Sequence, residues 1–411
     1  VTAERLKIAM LSVHSCPLGQ LGTRDTGGMS VYVRELAREL GARGHRVDVY
    51  TRRHGSQEPQ VVQLGQGARL IHLKAGQDGR MDKLAIYSHL ADFGLALDEF
   101  RTRNWLSYDL IHGHYWLSGW VGRWLRARWG APLVMMFHTL AAVKNSIGVG
   151  RPEPELRLAT EGELVRDCQR LIAPTEREKG ELISFYGACP EAVGVVPCGV
   201  NLDLFRPQPR DLARRRTGLD RAGRLILYVG RIDPLKGLDR LLVALAGLKD
   251  RRGLQLAVAG GDDGRQPELG RLKSLAGRLG IRDQVLFLGR VPHESLPLYY
   301  SAADFLVLPS YHESFGLVAL ESLACGRPVV AARVGGLETI IHQGQNGWLV
   351  PQDGPGAWTE GLAEFLARPR PGPEADPLIR ASVSRFSWSN VAEAIVEEYR
   401  TALRLTVAQA A

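Results

Sequence analysis

Two carboxylates separated by seven residues, Glu313 and Glu321, bracket the stretch His312-Glu313-Ser314-Phe315-Gly316-Leu317-Val318-Ala319-Leu320-Glu321. The apolar run Phe305-Leu306-Val307-Leu308-Pro309 before it reads as a buried strand, and Ser322-Leu323-Ala324-Cys325-Gly326 after it reads as the end of a short helix. The stretch is therefore a strand, a loop carrying Gly316 and a helix start. A helix start offers backbone N–H groups and a positive dipole end to an anion. Glu321 can accept the hydroxyls of a ribose and Glu313 those of a sugar. Phosphates in the middle with polyols at both ends describe a nucleotide sugar. Such turns occur throughout α/β proteins, and a Glu in a first helical turn is ordinary capping chemistry, so the remaining chain has to supply the rest of such a site.

It offers two further phosphate devices. Arg231 and Lys236 flank a turn, Arg231-Ile232-Asp233-Pro234-Leu235-Lys236-Gly237, directly after the apolar run Leu225 to Gly230. A guanidinium that grips two oxygens and an ammonium acting as a point charge suit a diphosphate leaving group; either alone would read as a solvated basic turn. Gly27-Gly28 opens a helical pattern carrying Met29, Val33, Leu36 and Leu40, and lets backbone approach a phosphate with no Cβ in the way. The pattern is not GxGxxG, which argues against a nicotinamide cofactor. His114-Tyr115 and His138-Thr139 each follow an apolar run, at equivalent strand ends.

The elements that position these groups alternate. In the first half, strands are predicted at Ile8 to Val13, Val47 to Tyr50, Tyr108 to His112, Pro132 to Phe137, Arg170 to Ala173 and Val193 to Val196. In the second half they are predicted at Leu225 to Gly230, Leu256 to Gly260, Val285 to Gly289, Phe305 to Leu308 and Pro328 to Ala332, with a short edge strand at Gly347 to Val350. Near-continuous apolar runs separated by helical patterns mean doubly wound parallel sheets, whose ligands gather at the carboxyl ends of the strands. The turn-rich segment 198–207 reads as a linker, and Val391, Ile395, Tyr399 and Leu403 mark a final helix. The expected division is 1–199, with a terminal helix 387–411 crossing back onto it, and 200–386.

Composition narrows the partners. With 411 residues the chain has ample core, and its formal net charge of +8 is mild and diffuse. There is no aromatic-studded basic repeat or zinc-finger spacing, so nucleic acid is not expected, whereas a basic balance suits anionic substrates. Five scattered cysteines without CxxC support neither a disulfide framework nor a zinc site. Val1 to Lys7 does not read as a signal peptide, and the reading is of a cytoplasmic protein. Trp116, Trp120 and Trp124, with Arg123, Arg126 and Arg128, have the spacing of an interfacial membrane helix or of a core stripe with a basic edge; the latter is the commoner arrangement, so membrane contact is not expected.

Together, Gly27-Gly28, the Gly230-Arg231 to Lys236-Gly237 turn, the Glu313 to Glu321 loop and Gly335-Gly336 resemble the retaining glycosyltransferases of the GT-B fold over nearly the whole chain. The resemblance implies two Rossmann-like domains facing across a cleft and a nucleotide-sugar donor held mainly by the second. No obligatory metal and no other cofactor is implied. Arg231, Lys236 and backbone amides near Gly28 and Leu317 would hold the diphosphate, with Gly27, Ser314, Phe315, Gly316 and Val318 completing the donor loop. Glu321 would hold the ribose and Glu313 the sugar, and backbone around Arg290-Val291 would receive the base. The first half is similar to the inositol-phosphate N-acetylglucosaminyltransferases of mycothiol biosynthesis in Gly27 to Val33, His114 to Gly119 and His138 to Asn145. That likeness puts Lys83, Tyr115, Thr139 and Arg157 at the acceptor's phosphate. Sucrose-phosphate synthases are similar here and also take a phosphorylated acceptor. Two stretches depart from the pattern: Gly261-Asp262-Asp263-Gly264, which is more acidic, and Ser146 to Pro154. The expected reaction moves a GlcNAc or glucose unit from a UDP-sugar to a hydroxyl of a phosphorylated polyol or sugar, with retention. The sequence offers no convincing carboxylate nucleophile, so a front-face route is expected, with Arg231 and Lys236 stabilising the leaving group and His138 and Glu313 completing the catalytic set at the donor sugar. A lipid acceptor at a membrane surface and a non-catalytic sensor are the alternatives. The oligomeric state stays open, a homodimer included.

Overall fold

The structure is a computed structural model and describes residues 5–20, 26–219, 223–261, 267–352, 354, 356–370, 372 and 374–410. Asp262, Asp263 and Gly264, three of the four residues of the acidic departure, lie outside the described residues.

Two sheets organise the chain. The first contains β1 (Lys7–Leu11), β2 (Arg46–Arg52), β3 (Val61–Gly65), β4 (Ala68–Leu73), β5 (Leu110–His114), β6 (Leu133–Met136), β7 (Arg170–Ala173) and β8 (Val193–Val195), in the order β3-β4-β2-β1-β5-β6-β7-β8. The second contains β9 (Arg224–Val229), β10 (Leu254–Ala259), β11 (Val285–Gly289), β12 (Phe305–Leu308), β13 (Val329–Ala332) and β14 (Gly347–Val350), in the order β11-β10-β9-β12-β13-β14. All pairings are parallel except β3 with β4. That β3–β4 hairpin is an addition to the expected strands. Its outer strand is half exposed and turns at Gly67, where φ is +69°, so it lacks the continuous apolar run of a strand buried on both faces.

The order reverses between β1 and β5 in one sheet and between β9 and β12 in the other. A doubly wound sheet opens its crevice at such a reversal. β5 ends on His114 and is followed by Tyr115, while the segments after β9 and β12 begin with Gly230-Arg231 and Pro309-Ser310, so topology alone brings the chemistry to the same ends.

Packing follows the period of two along each strand. Ala9, Leu11, Ile111, Leu133 and Met135 bury one face of the first sheet under the helices Leu90–Arg103 and Trp116–Trp129. Their neighbours Ile8, Met10, Leu110, Val134 and Met136 face the other way, into a core continuous with that of the second sheet. The tryptophan stripe is spent on packing: Trp116 stacks on Tyr87 at 5.6 Å, Trp120 meets the same ring edge-on and Trp124 lies against Gly94. The basic edge is paired as well, Arg123 with Asp167 at 2.6 Å and Arg128 with Asp98 at 2.5 Å. No helix among the described residues is long and apolar enough to cross a membrane.

The last helix, Trp388–Ala410, lies on the first lobe. Tyr399 Oη sits 2.7 Å from His112 Nδ1, Glu398 pairs with Arg170, and Trp388 meets Tyr32 edge-on at 5.4 Å. Arg380 ties the segment joining the sheets by donating to the carbonyls of Leu202, Phe205 and Ala324.

Candidate active site

The loop after β12 ends at Gly316, φ +101°, which starts the helix Leu317–Ala324. Its shape depends on Gly335-Gly336. A Cβ on Gly335 would fall 1.8 Å from the Glu313 carbonyl, and one on Gly336 would fall 2.4 Å from Phe315 Cα. The Gly336 N–H donates to the Glu313 carbonyl at 3.2 Å. The two glycines are thus the platform on which the carboxylate loop rests.

Across the cleft, Gly28 begins the helix Gly28–Ala42. A Cβ there would sit 3.3 Å from Leu317 Cδ1, and one on Gly27 would sit 3.8 Å from Arg231 Cδ. Two helix N-termini and one guanidinium therefore converge across a seam that carries only glycines on its first-lobe side, an arrangement that favours a polyanion. Lys236 closes the turn Pro234–Lys236 and pairs with Glu313 at 2.6 Å. Arg231 lies 3.3 Å from Asp233, and Arg290 Nη1 reaches Gln20 Oε1 of the first lobe at 2.6 Å. Val291 follows, half buried. Glu321 is buried, with Oε1 accepting from His293 Nε2 at 2.8 Å and Oε2 from the Tyr300 hydroxyl at 2.7 Å. A carboxylate has about four lone-pair sites, so each oxygen keeps one for a further donor.

His138 and Tyr115 hold backbone that L-residues rarely adopt, at φ +61° and +76°. Such strain is held only where surroundings over-determine it, and it clusters at functional sites. The carbonyl of His138 accepts from Ser314 Oγ at 2.6 Å, which joins the lobes. Its ring lies edge-on to Tyr32 and its Nε2 is 2.9 Å from His114 Nδ1. Burial takes the His138 imidazole down to about 3, so it is neutral near pH 7.

Lys83, Tyr115, Thr139 and Arg157 come together in the first lobe. Lys83 Nζ is 5.0 Å and Arg157 Cζ 4.7 Å from the centroid of the Tyr115 ring. Arg157 Nη2 donates to Thr139 Oγ1 at 3.0 Å and to the Thr139 carbonyl at 2.6 Å. The Tyr115 hydroxyl is buried and without a hydrogen-bond partner among the described residues. Burying a hydroxyl unpaired is costly.

Sequence reasoning passed over Lys144, on the short helix Ala141–Ile147. Burial, reinforced by the fields of Arg157 and Lys83, brings its ammonium down to about 8. Asp233 and Arg231 of the other lobe also act on it, so it stands between the two clusters. Its spacing from His138-Thr139 across one helix start was the available signal. Glu161, fully buried beneath Arg157, and His293, behind Glu321, were also passed over.

Two doubly wound domains with their strand ends facing across a cleft define the GT-B class of glycosyltransferase. "Glycosyl transferase 4-like domain" matches residues 27–199 and "Glycosyl transferases group 1" matches 209–381. An enzyme of Thermobispora bispora named D-inositol 3-phosphate glycosyltransferase is 43% identical over 410 residues, covering 97% of this chain and 95% of its own. Its namesake in Mycobacterium bovis is 41% identical, covering 97% and 83%. Among solved structures, the sucrose-phosphate synthase of Thermosynechococcus elongatus superposes with a TM-score of 0.89 at 34% identity, covering 96% and 98%. HepE of Anabaena, solved with UDP and glucose, shares the fold at a TM-score of 0.74 and 22% identity, covering 96% and 99%. The chain belongs to the GT-B hexosyltransferase family that contains the enzymes named D-inositol 3-phosphate glycosyltransferase.

Proposed function

We propose that the protein transfers GlcNAc or glucose from a UDP-sugar to a hydroxyl of inositol phosphate, with retention at the anomeric carbon and without an obligatory metal. The observation that carries the acceptor class is the unpaired, buried Tyr115 hydroxyl with Lys83 and Arg157 over its ring. Two cations with two hydroxyl groups, those of Tyr115 and Thr139, suit a phosphomonoester, and relatives above 40% identity carry an inositol phosphate in their names. The likeness to a sucrose-phosphate synthase makes fructose 6-phosphate the competing acceptor.

In this reading the diphosphate lies between Gly27-Gly28, the Leu317 helix start, Arg231 and Lys236. Glu321 takes the ribose hydroxyls, backbone at Arg290-Val291 the base, and Glu313 the sugar. The acceptor hydroxyl attacks the anomeric carbon from the face the diphosphate is leaving. Its proton passes to the departing diphosphate oxygen while the C–O bond to that oxygen breaks. Arg231 and Lys236 stabilise the charge growing there, which is where fixed cations act most strongly. Neutral His138 gives no proton; its carbonyl, held by Ser314 Oγ at 2.6 Å, keeps a second lone pair for a hydroxyl of the donor sugar.

Crossing UDP-GlcNAc and UDP-glucose with inositol phosphate and fructose 6-phosphate tests the proposal directly. One pair should dominate, and proton NMR of the product should show the donor's own anomeric configuration; an inverted product would overturn the mechanism. The acceptor also predicts a pH profile. A phosphomonoester takes up its second proton at a pH of about 6, and Lys144 loses its charge as pH rises through about 8. The lowered Lys144 is charged below that value and neutral above it. Acceptor kcat/KM is therefore expected to fall on both sides, and Lys144→Met should remove the alkaline limb while leaving the acid one.

A further inference from the structure

The helix that begins at Gly28 meets the second lobe twice. Its N-terminus lies against Leu317, at the proposed diphosphate position. Six residues on, about 9 Å along the axis, Arg34 Nη2 reaches His293 Nδ1 at 3.3 Å. His293 lies between β11 and β12, and its other nitrogen, Nε2, is 2.8 Å from Glu321 Oε1. Arg34 and His293 are each largely buried, and Glu35 holds the Arg34 guanidinium from the side through Nε at 2.8 Å.

The chemistry of the chain is directional. A guanidinium has donors only. In the neutral imidazole Nδ1 of His293 is therefore the acceptor, its proton sits on Nε2, and that N–H donates to Glu321. Against burial, which lowers the imidazole, that carboxylate in turn raises it above its ordinary value, while Arg34 opposes the rise. The Arg34 contact thus selects the imidazole tautomer that orients the carboxylate. Around the ring stand Glu321 and Glu294, Arg34, and the Phe205 ring at 5.1 Å.

We propose that Arg34 and His293 form an interdomain strut that sets Glu321 for the ribose only when the lobes come together. One rigid helix then delivers both the Gly27-Gly28 amides to the diphosphate and the correct tautomer to the ribose carboxylate. Nucleotide grip and lobe closure become one event, a coupling between two contacts of a single element. Arg34 and His293 are positioning residues, since neither touches the donor. The inference rests on the reading of Glu321 as the ribose-binding group.

A double-mutant cycle tests it. In His293→Gln the amide nitrogen can stand in for Nε2 toward Glu321, but nothing replaces Nδ1 as the acceptor for Arg34. Arg34→Met removes the same link from the other end, and Arg34→Gln serves if the methionine variant does not fold by circular dichroism. Each single variant is expected to raise the donor KM and the UDP Kd about tenfold, the scale of one hydrogen bond to a charged group. The acceptor KM at saturating donor should not move. The double variant should be no worse than either single one, because both cut the same link. Additive losses, or an unchanged donor KM, would overturn the strut. Glu321→Gln separates this from the parent reading: if it leaves UDP binding intact, the ribose assignment fails; if it weakens UDP while the Arg34 and His293 variants do not, only the strut fails.

Discussion

Lys236→Ala is expected to lower kcat by about a hundredfold or more, the cost of removing one preorganised donor to developing charge. Lys236 is held by Glu313 at 2.6 Å, in a turn fixed by Asp233, whose carboxylate accepts from the Leu235 N–H at 3.0 Å. Its turn ends at Gly237, where a Cβ would fall 2.1 Å from the Pro309 carbonyl, so the ammonium approaches the β12 loop because no side chain stands between. The ground-state diphosphate is already gripped by Arg231 and the helix amides, so the donor KM should change far less than kcat, the signature of an interaction that strengthens in the transition state. Losing the lysine also leaves Glu313 as an uncompensated negative charge beside a dianion, which works in the same direction. Lys236→Met preserves the stem and should behave like alanine. Near-normal turnover of either variant with all four donor–acceptor pairs would remove the proposed charge stabilisation from the mechanism.

Much of this arrangement was readable from residue order, for physical reasons that differ by element. Strands such as β6, β12 and β13 are buried on both faces, so they appear as unbroken apolar runs, and their carboxyl ends could be counted off directly. The β3–β4 hairpin escaped because only part of its outer strand is covered, leaving Val61, Gln63 and Gly65 exposed. Glu313 and Glu321 were conspicuous because both belong to a single strand–loop–helix unit. The acceptor quartet is different. Lys83, Tyr115, Thr139 and Arg157 come from four separate loops and helices, and only resemblance to a known family put the four together; in the structure Lys83 and Arg157 lie over the Tyr115 ring and Arg157 holds Thr139. The strut was out of reach for a stronger reason. Arg34 and His293 are 259 positions apart, each lies in an unremarkable local pattern, and neither is a motif residue. Lys144 illustrates the middle case, since a lysine on a helix is ordinarily solvated, and only the fold shows the burial, reinforced by the fields of Arg157 and Lys83, that perturbs its charge.

Arg157→Ala should affect stability and specificity together, and the two can be separated. Its side chain is 1% exposed. Nε donates to Glu161 at 2.7 Å, Nη1 lies 2.8 Å from Glu153 and Nη2 serves Thr139. Glu161 is itself 0% exposed, and also accepts from the Ala141 N–H and from Tyr186. Breaking such a buried pair from one side strands a carboxylate and costs about 3–5 kcal/mol. A destabilised variant alone would therefore say little about the acceptor. Arg157→Ala combined with Glu161→Gln removes the stranded charge and should recover much of the stability in denaturant unfolding, because a neutral amide can still accept from Ala141 and Tyr186. The double variant should nevertheless keep an acceptor KM raised on the order of a hundredfold, the scale of losing a hydrogen-bonded charge at a binding surface. Unphosphorylated inositol supplies the control. The wild-type protein is expected to prefer the phosphorylated acceptor strongly, and the folded double variant should lose most of that preference while handling inositol itself about as well as before. A folded double variant that still discriminates by the full wild-type factor would mean that Lys83, Tyr115 and Lys144 hold the phosphate without Arg157, whose burial over the Tyr115 ring would then be a matter of packing alone.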